Sequence, residues 1–292
     1  LRAYLSTPFF SEVRHVGVTG GEPTLRKDLV GLYELLPACL PALTGASFIS
    51  HGMQTARAVD FYTRVHQLYR GRGLEFSGMI SLDGVGEAHD RVRGRPGAFA
   101  AASRTLLELK QAGVKVMAAC TIVRSNVYAL HDLLDWGRAH GVYVRFRVAE
   151  FIRRLYNDAC APEIRCFSDR ELRHLVCFFH VLLTEYEKDE TIRRTYRSVV
   201  ELLTGGERLI GCPYQKGVAV NVGSRGELAA CAPKGDSLPR GDDGTLHAQL
   251  AAQRESLARD HCAGCIHDYH DTWNAAAERQ QAGAQAARQQ LY

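Results

Sequence analysis

Val13-Arg14-His15-Val16-Gly17-Val18-Thr19-Gly20-Gly21-Glu22-Pro23 reads as a short apolar strand that runs into two glycines, a carboxylate and a proline. Paired glycines let a backbone approach a ligand closely, and the proline forces a turn. Glu22 would then face a cation or an amine. The strand is followed by an amphipathic stretch, Arg26 to Leu40, and the alternation continues along the chain. Further strands are predicted over Ala46 to Ser50, Phe76 to Leu82, Val114 to Val123 and Tyr143 to Phe151. Between them, helices are predicted over Ala56 to Tyr69, Gly97 to Gln111 and Tyr128 to His140, with Leu1 to Ser11 helical ahead of the first strand. This is the pattern of strand-helix units around a parallel sheet. Gly113 and Gly141 are placed to end two of the helices in a left-handed conformation.

In a parallel α/β barrel the chemistry collects at the carboxyl ends of the strands. After Gly20-Gly21-Glu22 come Ser50-His51-Gly52, Ser81-Leu82-Asp83-Gly84, Thr121 with Asn126, and Arg145-Phe146-Arg147. Any one of these also suits an ordinary turn. Five in succession at strand ends point to a site. Arg145 and Arg147 share strand parity, so both face either the barrel mouth, as donors to a substrate hydroxyl or carboxylate, or the flanking helices. Glu150, Arg153, Tyr156 and Asn157 are further candidates just beyond that strand.

After Arg154 the rhythm changes. A helix is predicted from Ser168 to Lys188, with Ser168 and Glu171 forming a capping box, and a second from Glu190 to Thr204. Then come Cys212, Cys231 and Cys262-Ala-Gly-Cys265, spaced to place four thiolates around zinc or an iron-sulfur cluster. Val218 to Val222 and Glu227 to Ala232 form a hairpin around Gly223-Ser224-Arg225-Gly226. His261, His267 and His270 flank the CxxC pair. Cys120 and Cys177 lie on apolar faces and Cys160 and Cys166 flank a linker, where structural thiols are expected.

The 292 residues, 46% of them hydrophobic, suffice for one main domain and a small appendage. A net charge of +4 with both signs interspersed argues against a nucleic-acid partner. No apolar run approaches the roughly 20 residues of a membrane span, and no signal pattern opens the chain. Nine cysteines in a chain this long indicate reduced thiols with a bound metal or cluster rather than a disulfide framework, and the expected location is cytosolic.

Gly20-Gly21-Glu22-Pro23-Thr24-Leu25-Arg26-Lys27-Asp28-Leu29, then Ser81-Leu82-Asp83-Gly84 and His89-Asp90-Arg91-Val92-Arg93-Gly94, resembles the radical S-adenosylmethionine superfamily. The resemblance covers about Val13 to Phe151 and Gly211 to Cys265. It implies an α/β fold, a partial (β/α)6 TIM-like barrel whose first strand would lie upstream of Leu1. It also implies that Gly20, Gly21, Glu22 and Pro23 meet the methionine amino group of S-adenosylmethionine. Ser81 and Asp83 would contact its ribose or carboxylate, and Thr121 and Asn126 would line the same pocket.

The spacing from Cys212 to Gly226 to Cys231 is similar to the hairpin that opens the SPASM and Twitch extensions. No cysteine follows Cys265, which favours Twitch, with one [4Fe-4S] auxiliary cluster on Cys212, Cys231, Cys262 and Cys265. The expected organisation is residues 1–154 as partial barrel, 155–210 as helical linker, 211–271 as the Twitch-like extension and 272–292 as a terminal helix. The family's CxxxCxxC triplet is not in the chain, and that second [4Fe-4S] cluster is expected on cysteines upstream of Leu1. As given, the chain would not generate radicals. The resemblance implies electrons from flavodoxin or ferredoxin, cleavage of the cofactor to a 5'-deoxyadenosyl radical, and hydrogen abstraction from the substrate. The function expected of the chain is that of a radical oxidoreductase acting on a small polar metabolite, an aminocyclitol or sugar, in natural-product tailoring. Its alternatives are a maturase of a ribosomally made peptide and a non-catalytic zinc scaffold.

Overall fold

The structure is a computed structural model and describes residues 1–239 and 241–268. The expected terminal helix over 272–292 and His270 lie outside the described residues. The chain divides into two compact units, Leu1–Arg147 and Val148 onward. Among the described residues no helix is long and apolar enough to cross a membrane.

The first unit holds α1 (Arg2–Leu5), β1 (His15–Val18), α2 (Leu29–Cys39), β2 (Gly45–Ser50), α3 (Thr55–Arg70), β3 (Glu75–Ser81), α4 (Glu87–Arg93), α5 (Ala98–Gln111), β4 (Val116–Ile122), α6 (Leu130–His140) and β5 (Val144–Val148), whose last residue opens the second unit. The strands form one parallel sheet in the order β1-β2-β3-β4-β5, so each lies beside the next in sequence. This is the α/β architecture expected of a partial barrel. The sheet is open, with β1 and β5 at its edges. Gly113 (φ 76°) and Gly141 (φ 57°) sit in the left-handed conformation behind α5 and α6, as their positions predict.

Strand alternation sorts the side chains onto two faces. Ala46, Phe48 and Ser50 are in register with Phe76, Gly78 and Ile80, and all are buried. Against them pack Tyr33 of α2 and Phe61 and Tyr62 of α3, with Phe48 lying 4.7 Å from Phe61 and 5.0 Å from Tyr62 between ring centres. A Cβ at Gly78 would run into the Tyr62 ring, so glycine is needed there for close strand-helix packing. Ala118, Cys120 and Ile122 of β4 and Val144, Phe146 and Val148 of β5 continue the buried set. The residues between them, Ser47, Ile49, Ser77, Met79, Ser81, Met117, Thr121, Arg145 and Arg147, are half-buried on the other face.

The second unit holds α7 (Asp169–Val181), α8 (Glu190–Leu203), β6 (Asn221–Val222), β7 (Leu228–Ala229) and α9 (Asp243–Asp260). Ser168 and Glu171 form the predicted capping box on α7. The long helix predicted to Lys188 instead passes through a π-helical turn at Leu182–Tyr186 and stops, because Glu187 accepts the amides of Lys188 and Asp189, and Asp189 caps α8. The hairpin is shorter than predicted, with two residues per strand and an added bridge from Leu228 to Leu238. Two helices were not anticipated. α4 carries the His89 to Arg93 motif, and α9 buries only Leu246 and Leu250, so its sequence shows no apolar stripe to betray it.

Candidate functional site

The end of β1 is held from the side by β2. The Glu22 carboxylate is turned back into its own turn, where Oε1 accepts from Thr24 N (3.0 Å), Thr24 Oγ1 (2.5 Å) and Ser50 Oγ (2.9 Å). Oε2 accepts from the His51 amide at 2.8 Å and lies 3.3 Å from His51 Nε2. Burial lowers the His51 pKa, outweighing the pull of Glu22, and the positive charges of Arg93 and Arg95 lower it further. His51 Nδ1 accepts from the Met53 amide at 2.9 Å, so the single ring proton sits on Nε2, facing Glu22. The contact therefore sets an uncharged imidazole beside the carboxylate and is not an ion pair. The carboxylate thus locks the turn with no acceptor left idle. What stays open is the backbone before it: Gly20 and Gly21 are exposed, and a Cβ at Gly21 would meet nothing of the chain within 4 Å. Neither has a positive φ among the glycines that do, so their small size serves approach rather than a strained turn. This cradle fits a ligand that takes hydrogen bonds along main chain, as the amino-acid part of S-adenosylmethionine would.

The ends of β3 and β4 form a second clasp. Asp83 is 1% exposed, accepting from Thr121 N at 2.9 Å through Oδ1 and pairing with Arg93 at 2.6 Å through Oδ2. Asn126, fully buried, donates to the carbonyls of Asp83 (2.9 Å) and Thr121 (3.0 Å) and accepts from Val123 N at 2.8 Å. Asp83 and Asn126 are thus spent on stapling two strand ends, whereas Ser81 and Thr121 stay half-buried on the open face. Arg147 Nε lies 3.3 Å from Thr121 Oγ1, which puts Arg147, and Arg145 of the same parity, on that open face rather than against the helices.

Two further residues complete the clasp. His89 and Arg93 are four apart on α4, so both reach Asp83. His89 Nδ1 accepts from Asp83 N at 2.9 Å, which again leaves the proton on Nε2. Burial lowers the His89 pKa against the pull of Asp83, so the 4.0 Å approach of its Nδ1 to Asp83 Oδ2 is not an ion pair. The Nε2 of His89 and the Nε of Arg93 are buried with no hydrogen-bond partner among the described residues. Spacing on a helix was the signal for both.

The second unit gathers the four cysteines. Cys262 and Cys265 close a turn behind α9, with Cys265 N donating to Cys262 O at 3.3 Å. The loop at Cys231 is held by Gln253 of α9, which accepts from Ala230 N (2.7 Å) and donates to Asp236 O (2.9 Å). Burial, with a smaller contribution from the other three thiols, pushes the Cys231 thiol up to about 11. Cys262 is raised by burial and by Cys265 and Cys212, and Cys265 chiefly by burial, with Arg208 opposing in both. Four half-buried thiols within electrostatic reach of one another suit a cationic centre that draws off their protons, which is the chemistry of an iron-sulfur cluster. Among the described residues no three such side chains are drawn together as for a metal ion. Cys39 and Cys120 are buried away from this group, and Cys160, Cys166 and Cys177 are exposed. Glu150 is buried beside Arg165 (3.5 Å) and Lys234 (3.9 Å), Asn157 donates to Glu150 O, Arg153 pairs with Asp236, and Tyr156 is 86% exposed. His267 pairs with Asp268 at 3.1 Å.

The chain matches no family model. It is 28% identical over 133 residues to the sporulation killing factor maturation protein SkfB of Bacillus subtilis, a stretch that is 45% of this chain and 30% of the relative. It is 35% identical over 120 residues to the Fe-coproporphyrin III synthase of Methanosarcina barkeri, 40% of this chain and 28% of the relative. The chain therefore spans under a third of the length of these curated relatives. Streptococcus suis SuiB, solved with its precursor peptide SuiA, superposes with a TM-score of 0.54 over 87% of this chain and 60% of its own, at 13% identity, a likeness of fold.

Proposed function

We propose that this chain, which belongs to the radical S-adenosylmethionine superfamily, forms the cofactor-binding sheet and the auxiliary-cluster unit of an enzyme that modifies a peptide. The observation that carries the cofactor half is the open Gly20-Gly21 backbone beside a carboxylate locked by Ser50 and His51. Bound there, S-adenosylmethionine supplies a hydrogen-abstracting radical on one-electron reduction. The chain's own residues divide the remaining work. Gly20 and Gly21 present main chain to the amino-acid part, with Glu22 and Pro23 fixing their turn, and Ser81 and Thr121 donate from the open face. Asp83 and Asn126 hold those strand ends in place, a positioning role. Arg145 and Arg147 orient a carbonyl or carboxylate of the substrate. In the second unit Cys212, Cys231, Cys262 and Cys265 hold a [4Fe-4S] cluster that moves electrons.

The relative from Bacillus subtilis, a maturation protein, supports a peptide substrate. The aminocyclitol or sugar dehydrogenation expected from the sequence draws no support from these relatives, and the peptide alternative replaces it. The Methanosarcina barkeri relative favours a second reading, a tetrapyrrole whose propionates would meet Arg145 and Arg147. The test is incubation of full-length protein with S-adenosylmethionine, a low-potential reductant and either uniformly deuterated peptide substrate candidates or deuterated coproporphyrin. Deuterium recovered in 5'-deoxyadenosine from peptide alone is the expected result. Transfer from the tetrapyrrole alone would replace it with the second reading, and transfer from neither would overturn both.

A further inference from the structure

One residue reaches the backbone beside three of the four cysteines. Arg208 donates through its main-chain amide to Ala263 O at 3.0 Å and through Nε to Ile210 O at 3.1 Å. A single terminal nitrogen of its guanidinium donates to both Cys265 O and His267 O, each at 2.7 Å. Ile210 lies two residues before Cys212, Ala263 lies inside the CxxC turn, and His267 lies two residues after Cys265. Arg208 thus ties together the approaches to three of the four thiols, its guanidinium those at Cys212 and Cys265 and its main-chain amide that at Cys262, and it does so half-buried, where charge is weakly screened. Arg165 backs the same turn by donating to Gly264 O at 3.2 Å and lies 3.5 Å from Glu150.

We propose that Arg208 is the positioning residue of the cluster site: it fixes the Cys262–Cys265 turn by main-chain hydrogen bonds and sets the reduction potential of the cluster by holding a permanent positive charge beside it. The proposal rests on the auxiliary-cluster reading given above. Reduction adds one electron from a low-potential donor and leaves the cluster one unit more negative, with no bond made or broken at Arg208. A fixed cation stabilises that more negative state, so its presence makes the cluster easier to reduce. Arginine suits the task because it stays charged and its donors form a fixed fork.

The test uses full-length protein reconstituted anaerobically, with iron counted per chain and the cluster titrated potentiometrically by electron paramagnetic resonance. The signal that vanishes in Cys262→Ala is the one followed. Arg208→Gln is expected to keep its iron and to titrate at a more negative midpoint than wild type. Arg208→Lys, which keeps the charge but not the fork, is expected to titrate between the two. Full iron with an unchanged midpoint in Arg208→Gln overturns the proposal. If Arg208→Gln loses its iron, Arg208→Lys decides: iron retained with a midpoint below wild type supports the proposal, and a wild-type midpoint or lost iron overturns it. No cysteine-dependent iron in the wild-type protein would instead overturn the cluster reading itself.

Discussion

The two units are held together by different physics. In the first, five parallel strands and their helices enclose an aromatic cluster of Tyr33, Phe48, Phe61, Tyr62, Tyr69 and Phe76, and the functional turns hang from an already solid frame. In the second, beyond the packed pair α7 and α8, the cysteine region has strands of two residues, and its turns are fixed by arginine and glutamine side chains on backbone carbonyls and amides. A site on a solid frame can lose its ligand and keep its shape. A site whose turns rest on a few side-chain hydrogen bonds leans on its ligand for order.

That contrast is broken most forcefully from the first unit. Phe48→Ala empties the centre of the aromatic cluster and is expected to cost about 3–5 kcal/mol in denaturant unfolding while leaving cysteine-bound iron per folded chain unchanged. If iron fell in parallel, the two units would not be energetically separate. The next effect is the converse. Stripping iron with a chelator is expected to lower amide-exchange protection around Cys231 and Cys262–Cys265 by roughly 100-fold, since metal binding supplies folding free energy, with β2 to β4 unaltered. Equal protection with and without iron would mean that the cysteine region is self-supporting. The smallest effect sharpens the account of the strand ends. His51 and His89 have pKa values lowered by burial, so below the unfolded value of about 6.5 the unfolded chain binds more protons than the folded one. Stability of the first unit is therefore full above about pH 6.5 and declines as pH falls through the folded values. His89→Gln should flatten the slope of melting temperature between pH 7 and 5.

Much of the first unit was legible because its signals are local. Apolar runs of strand length, helices closed by Gly113 and Gly141, and polar residues at each strand end all follow from short-range chemistry. What escaped was long-range commitment. Glu22, Asp83 and Asn126 look alike as polar residues after strands, yet each is occupied by partners 28 to 43 residues away, and only the fold says so. The side on which Arg145 and Arg147 lie was undecidable from parity alone, and became clear once Thr121 was seen beside Arg147. In the second unit the thiol spacing was plain, but α9 was missed because Asp242 caps a helix with only two buried leucines. Arg208 carried no signal at all, since its role is made of contacts to backbone.

The two imidazoles at the strand ends have one more implication. Each accepts a main-chain amide through Nδ1, at Met53 and at Asp83, and each is kept uncharged by its surroundings. Neither is on call as an acid or a base near neutrality. The open face nearby is furnished with hydroxyls and guanidinium groups, Ser81, Thr121, Arg145 and Arg147, which hold a partner without exchanging protons with it.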